Sequence, residues 1–177
     1  PLASRVALRF LSREGGAREI SFGELAEQTN RFAILLRELG VGKGERVFAL
    51  AGRVPELWIA ALGTLKNGSV FCPLFSAFGP EPIRARMRIG EGAVLVTTAA
   101  LYRKKVAPIR DALPALRHVL VAAEDEASSS DVGSSTTLPR MRTLTSDDTP
   151  GSCIVTPYTA SAASVVAGSL VLRSRTS

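Results

Sequence analysis

From Ala3 to about Ala123, short apolar runs alternate with stretches in which apolar positions recur every three or four residues, the pattern of repeated strand and helix units. Ser21 opens the first clear helix: its hydroxyl can accept the Glu24 amide while the Glu24 carboxylate reaches back, a capping box. Leu25, Phe32, Leu36 and Leu39 continue one apolar stripe, and Gly40 supplies a left-handed stop. After a turn at Gly42 to Glu45, the run from Val47 to Ala51 is short and apolar throughout, as suits a strand covered on both faces. A second helix starts at Pro55, and Leu57, Trp58, Ala61, Leu62 and Leu65 are its predicted buried face before Asn67 and Gly68 end it.

Val70 to Cys72 reads as the next strand, Pro80 to Ile89 as a short basic helix and Ala93 to Thr97 as a strand. Ala99 to Leu113 reads as a helix broken near Pro108, and His118 to Val121 as a last strand. The strands are too far apart for hairpins. Helical connections of this length favour parallel strands with right-handed crossovers, so the predicted fold is α/β, a mostly parallel sheet with helices on its faces. The pattern fails near Ala127: beyond Glu126, Ser and Thr make up about two in five residues and lysine is absent. Residues 1–126 are therefore read as the folded unit, and 127–177 as a Ser/Thr-rich tail expected to be poorly ordered or non-native.

The 177 residues suffice for one ordinary domain, and 46% hydrophobic with 21% charged residues excludes a chain disordered throughout. A net charge of +6 is compatible with a phosphorylated or polyanionic ligand without choosing one. No apolar run reaches the roughly 20 residues needed to cross a bilayer, so no membrane span is expected. The chain opens at Pro1 without a Met, a basic leader or a cleavage pattern, and the start reads as an internal fragment end. Cys72, Cys153 and the lone His118 make neither a disulfide framework nor a four-ligand zinc site, which fits a reducing cytoplasm.

Candidate chemistry is sparse. Gly40, Gly42 and Gly44 around Lys43 follow a helix and precede a strand, the reverse of a phosphate loop, so a plain turn is expected there. One histidine and no G-x-S-x-G elbow leave no nucleophile triad. His118 at a strand start is read as structural, and Cys72 as an inert core thiol. Arg84, Arg86, Arg88, Arg103, Lys104, Lys105 and Arg110 gather positive charge, but no aromatic interleaving or nucleic-acid reading motif accompanies them.

Two stretches carry a family resemblance. Ile20 to Leu25 is similar to a first core motif, L-T-Y-x-E-L, followed at the expected distance by L-R-E-L-G-V-G-K-G-E-R-V at Leu36 to Val47. Leu65 to Leu74 is similar to a second, L-K-A-G-x-x-x-x-P-L, and V-P-E-L-W stands at Val54 to Trp58. On these residues the chain resembles the amino-terminal part of the acyl-adenylate-forming synthetases, the AMP-binding family of acyl-CoA ligases and peptide-synthetase adenylation domains. Pro73 to Ile83 looks most like the acetate-type members.

The resemblance implies a partial amino-terminal subdomain of that fold and a two-step reaction. A carboxylate, here acetate, attacks the α-phosphate of Mg-ATP to give acyl-AMP and pyrophosphate, and the thiol of coenzyme A then displaces AMP. It also implies that Phe75, Ser76 and Ala77, with Arg103, Lys104 and Lys105, contact the nucleotide end of coenzyme A, although Ser76 and Ala77 stand where the family has glycines. The family's phosphate loop, Y-T-S-G-T-T-G-x-P-K-G, is matched at Tyr158, Thr159 and Gly168, without the inner glycines, proline and lysine. No catalytic residue and no metal ligand is assigned. The chain alone is expected to be inactive, its tail the product of a frame error near Ala127. The alternative is a non-catalytic basic α/β module that binds coenzyme A or another polyanion.

Overall fold

The computed structural model describes residues 2–11, 15–122 and 141–144. Strands β3 (Arg46–Leu50), β4 (Val70–Pro73), β5 (Val94–Thr98) and β6 (His118–Ala122) run parallel in the order β4, β3, β5, β6. Strand β7 (Met141–Leu144) closes the far side antiparallel to β6. Helices α1 (Phe22–Glu38), α2 (Pro55–Lys66) and α3 (Pro80–Ile89) cover the sheet. The α/β layering and the parallel central strands agree with the sequence pattern. No helix among the described residues is long and apolar enough to cross a membrane.

The pleat divides the core into two layers. Val47, Ala49, Val94, Val96 and Leu120 pack with Leu25, Phe32 and Leu36 of α1 and Ile59 and Ala60 of α2. Their neighbours Phe48, Leu50, Leu95, Val119 and Val121 pack on the other side with Ile83 and Met87 of α3, Val106 and Leu113. Each fully buried aliphatic side chain, such as Leu36 or Leu95, contributes about 1.5–3 kcal/mol relative to exposure.

Helix ends follow local chemistry. At the start of α1 the Glu24 amide donates to Ser21 Oγ at 3.2 Å and the Ser21 amide to Glu24 Oε2 at 2.8 Å, the capping box read from the sequence. At its end Gly40 has φ +69°, with its amide on the Arg37 carbonyl and the Val41 amide on the Leu36 carbonyl, both at 2.9 Å. The end of α2 repeats this at Gly68 and Ser69.

Three expectations need correction. First, β1 (Val6–Leu11) and β2 (Ala17–Ser21) form an antiparallel ribbon ahead of the sheet, where helical connections alone were expected. A register shift between Val6 and Leu8 blurs the alternation, and the cross-strand pair of Arg9 and Glu19, at 2.6 Å, is its clearest signature. Second, α2 buries Ile59, Ala60, Gly63 and Thr64, while Trp58, Leu62 and Leu65 of the predicted face are 50%, 37% and 61% exposed. Closeness decides it, because a Cβ on Gly63 would sit 2.6 Å from Phe32 Cδ1. Third, Cys72 lies half-buried on edge strand β4, packed against the core layer of Phe48 and Leu50 rather than within it. Burial still pushes its thiol pKa up, against the pull of Arg46. Strand β7 lies within the segment 127–177 that was read as tail; Tyr158 to Gly168 lie outside the described residues.

Candidate functional site at the carboxyl edge of the sheet

The strand order places a crossing point between β3 and β5. The chain leaves β3 for α2 on one face, whereas α3 and the segment after β5 pack on the other. In open α/β sheets, ligands bind outside the carboxyl ends of the strands near such a point. Thr97 Oγ1 donates to the Leu50 carbonyl at 2.8 Å and ties β5 to β3 at this edge.

Two loops meet there. The first follows β4: the Leu74 amide donates to the Ala49 carbonyl at 2.8 Å, Leu74 is buried, and the chain turns through Phe75, Ser76, Ala77 and Phe78 to α3. The second follows β5, where Thr98 caps a single helical turn, Ala99–Leu101. That turn widens into a π turn at Tyr102–Val106, with the Ala107 amide on the Tyr102 carbonyl five residues back, and tightens into a 3-10 stretch at Ala107–Ala112. The helix expected from Ala99 to Leu113 is thus irregular throughout. Pro108, with no amide to donate, sits at the change from wide to tight.

Lys105 joins the loops, its ammonium donating to the Ser76 carbonyl at 2.5 Å. Phe75 is 65% exposed and packs edge-on to Phe78, ring centroids 5.6 Å apart. The Arg86 guanidinium of α3 lies over the opposite partner, Phe78, at 4.3 Å from the ring centre. Arg103 and Lys104 are exposed on the π turn, as is Ala77 on the loop. The structure therefore brings both predicted segments together, with Lys105 turned to a carbonyl of the neighbouring loop. Phe78 was missed by sequence reasoning, and the three-residue step from Phe75 was its only trace.

Other candidates resolve as structure. The glycine-rich turn is a plain turn: Gly42 donates its amide to Glu45 Oε2 at 2.6 Å, and Glu45 also pairs with Arg117 at 2.7 Å. The Gly42 bond, then Arg117 and Arg46, hold the Glu45 carboxyl below its usual range. His118 Nε2 lies 3.1 Å from the Leu39 carbonyl, and burial foremost lowers its pKa. Arg84 pairs with Glu81 on its own helix, and Arg110 donates to the Leu113 carbonyl at 3.4 Å. Within the second motif, Lys66 Nζ reaches Thr29 Oγ1 at 2.7 Å and Asn30 Oδ1 at 2.8 Å, and Asn67 Nδ2 reaches the Val41 carbonyl at 2.9 Å. That motif clamps α2 to α1 and to the turn before β3. No group of three or more His, Cys, Asp or Glu among the described residues is placed to hold a metal ion.

A family model described as AMP-binding enzyme matches residues 2–161, running through β7 and past Ala127. The acetyl-coenzyme A synthetase of Bacillus subtilis strain 168 is 38% identical over 113 residues, 63% of this chain and 19% of that protein. Among solved structures, the acyl-CoA synthetase of Brucella canis is similar with a TM-score of 0.61 and 29% identity, over 78% of this chain and 26% of that one. An anthranilate CoA ligase in complex with anthranoyl-AMP has a TM-score of 0.62 and 25% identity, over 72% and 24%. The chain thus spans between a fifth and about a quarter of the length of these relatives.

Proposed function

Because this chain belongs to the AMP-binding enzyme family, we propose that it is the amino-terminal part of an ATP-dependent acyl-CoA ligase whose carboxyl edge receives the nucleotide end of coenzyme A. The observation that carries this reading is the meeting of the Phe75 to Phe78 loop with the Tyr102–Val106 π turn, through the Lys105 to Ser76 bond. It sets an exposed aromatic ring beside a turn bearing exposed Arg103 and Lys104, the donor set that an adenine ring and its phosphates call for. Phe75 offers a face to the base; Arg103 and Lys104 offer charge to the phosphates. Ser76 and Ala77 complete the loop between them.

The acetyl-coenzyme A synthetase of Bacillus subtilis supports acetate, or another short carboxylic acid, as the acyl substrate of the whole enzyme. There the carboxylate would attack the α-phosphate of ATP, releasing pyrophosphate and leaving acyl-AMP, and the thiol of coenzyme A would then displace AMP to give acyl-CoA. The solved ligase is in complex with anthranoyl-AMP, an acyl-adenylate of the kind that first step would form here. The glycine-rich turn does not fit ATP phosphates, because Glu45 occupies the Gly42 amide. The chain alone is accordingly expected to show no acetate-dependent exchange of pyrophosphate into ATP.

Calorimetric titration of the full chain with coenzyme A and with adenosine 3′,5′-bisphosphate tests the edge directly. Both should bind, compete with one another and weaken as salt rises. The double variant Arg103→Ala, Lys104→Ala should lose at least about tenfold in affinity, the worth of a charge-assisted hydrogen bond. Absence of binding at low salt, or equal binding by the double variant, sinks the reading. Binding of unrelated polyanions with equal affinity would favour the module reading instead.

A further inference from the structure

We propose that Lys105 is a positioning residue, a latch that fixes the Leu74 to Gly79 loop over the carboxyl edge, and not a phosphate ligand. The part of the proposal concerning ligand affinity rests on the coenzyme A reading above; the latch itself does not. Three consecutive cations occupy the π turn, yet they are unlike: Arg103 and Lys104 are exposed, whereas Lys105 is half-buried and its ammonium is on the Ser76 carbonyl. A π turn widens the helix, so residues that would fan evenly around an α-helix are displaced along it. Here the displacement accompanies a lysine directed inward, at the loop.

The loop has few other ties. Leu74 is anchored by β3 at one end, and the Phe78 amide closes on the Phe75 carbonyl at 3.0 Å at the other. Ser76 and Ala77 between them have no glycine freedom, so the carbonyl of Ser76 is aimed by the local turn and needs a donor where it is half-buried. Lys105 supplies it across 29 residues of sequence. On the far side Arg86 braces Phe78, and Phe78 braces Phe75 edge-on. The exposed ring of Phe75 is thereby held by two cations that do not need to touch a ligand themselves: Lys105 through the backbone and Arg86 through an aromatic ring.

The test uses the full chain and two variants, Lys105→Met and Lys105→Arg. Amide hydrogen exchange of residues 75–79 should speed up on the order of tenfold in Lys105→Met, the loss of one charge-assisted hydrogen bond, with the urea midpoint lowered by no more than that one bond accounts for. Lys105→Arg, which keeps a cationic donor, should return exchange towards that of the parent. Affinity for adenosine 3′,5′-bisphosphate should fall in Lys105→Met while its dependence on salt stays as steep, because no ligand charge contact is lost. Unchanged exchange in Lys105→Met overturns the latch. So does a shallower salt dependence in that variant, which would make Lys105 a phosphate ligand. If the parent chain binds no nucleotide, the coenzyme A reading fails, and the exchange data still decide on the latch.

Discussion

The two edges of the parallel sheet use charge in opposite ways. At the amino edge the chain answers its own charges: Glu45 holds the Gly42 amide and Arg117, Arg46 pairs with Glu91 at 2.6 Å, and His118 meets the Leu39 carbonyl. At the carboxyl edge Arg103 and Lys104 remain exposed, close in the chain to a lysine that serves the backbone of the neighbouring loop. Where charges are paired within the chain they hold turns and strands in register. Where they are left to solvent beside an exposed ring, they are available to a ligand. The glycine-rich turn and the basic cluster look equally suggestive in sequence, yet the fold makes one a tie and the other a surface.

The largest effect should come from breaking the amino edge. Glu45→Ala removes the acceptor for the Gly42 amide and the partner of Arg117, and should cost about 1–3 kcal/mol, the range for hydrogen bonds to a charged group. A urea midpoint measured near neutral pH checks this, and nucleotide affinity per folded molecule should not change. A midpoint equal to that of the parent would show that the turn stands without its carboxylate.

A smaller effect, with its own signature, comes from protons. Burial, joined by Arg117 and Arg110, lowers the His118 pKa below its ordinary 6.5, while the bond to Leu39 acts the other way. As pH falls from about 6.5, the unfolded chain takes up a proton that the folded chain resists, so stability declines and levels off below the folded value. Glu45 is lowered from its ordinary 4.5, so its stabilisation is present above that pH and is lost as pH falls through the folded value. The melting temperature should therefore drop in two stages on acidification. His118→Gln should remove the upper stage and leave the lower; an unaltered upper stage would assign it to another group.

Much of this division was legible in the sequence, and its gaps have physical causes. The capping box at Ser21 and Glu24 and the stops at Gly40 and Gly68 are set by residues a few positions apart, so they could be read directly. The central strands were legible because burial on both faces leaves each with a short apolar run. The face of α2 was not, because apolar side chains lie on more than one side of it and the tightest approach, Gly63 to Phe32, favours the smallest residue over the greasiest. At the site, the segments 75–77 and 103–105 were named from resemblance, but that Lys105 grips Ser76 and Arg86 overlies Phe78 are contacts between distant positions that no local pattern encodes.

The smallest expected effect sharpens the comparison most. If the carboxyl edge is a surface kept for a ligand, Arg103→Ala with Lys104→Ala should change folding stability by no more than about 0.5 kcal/mol, as for exposed surface residues. The same pair is expected to lose nucleotide binding, whereas Glu45→Ala loses stability and keeps it. Urea melts and nucleotide titrations on both variants give the two columns needed. A loss of more than 1 kcal/mol in the double variant, on the scale of a made hydrogen bond, would mean that these cations support the π turn itself. The two edges would then differ only in which turn their charges tie down, and the availability of Arg103 and Lys104 to a ligand would lose its physical basis.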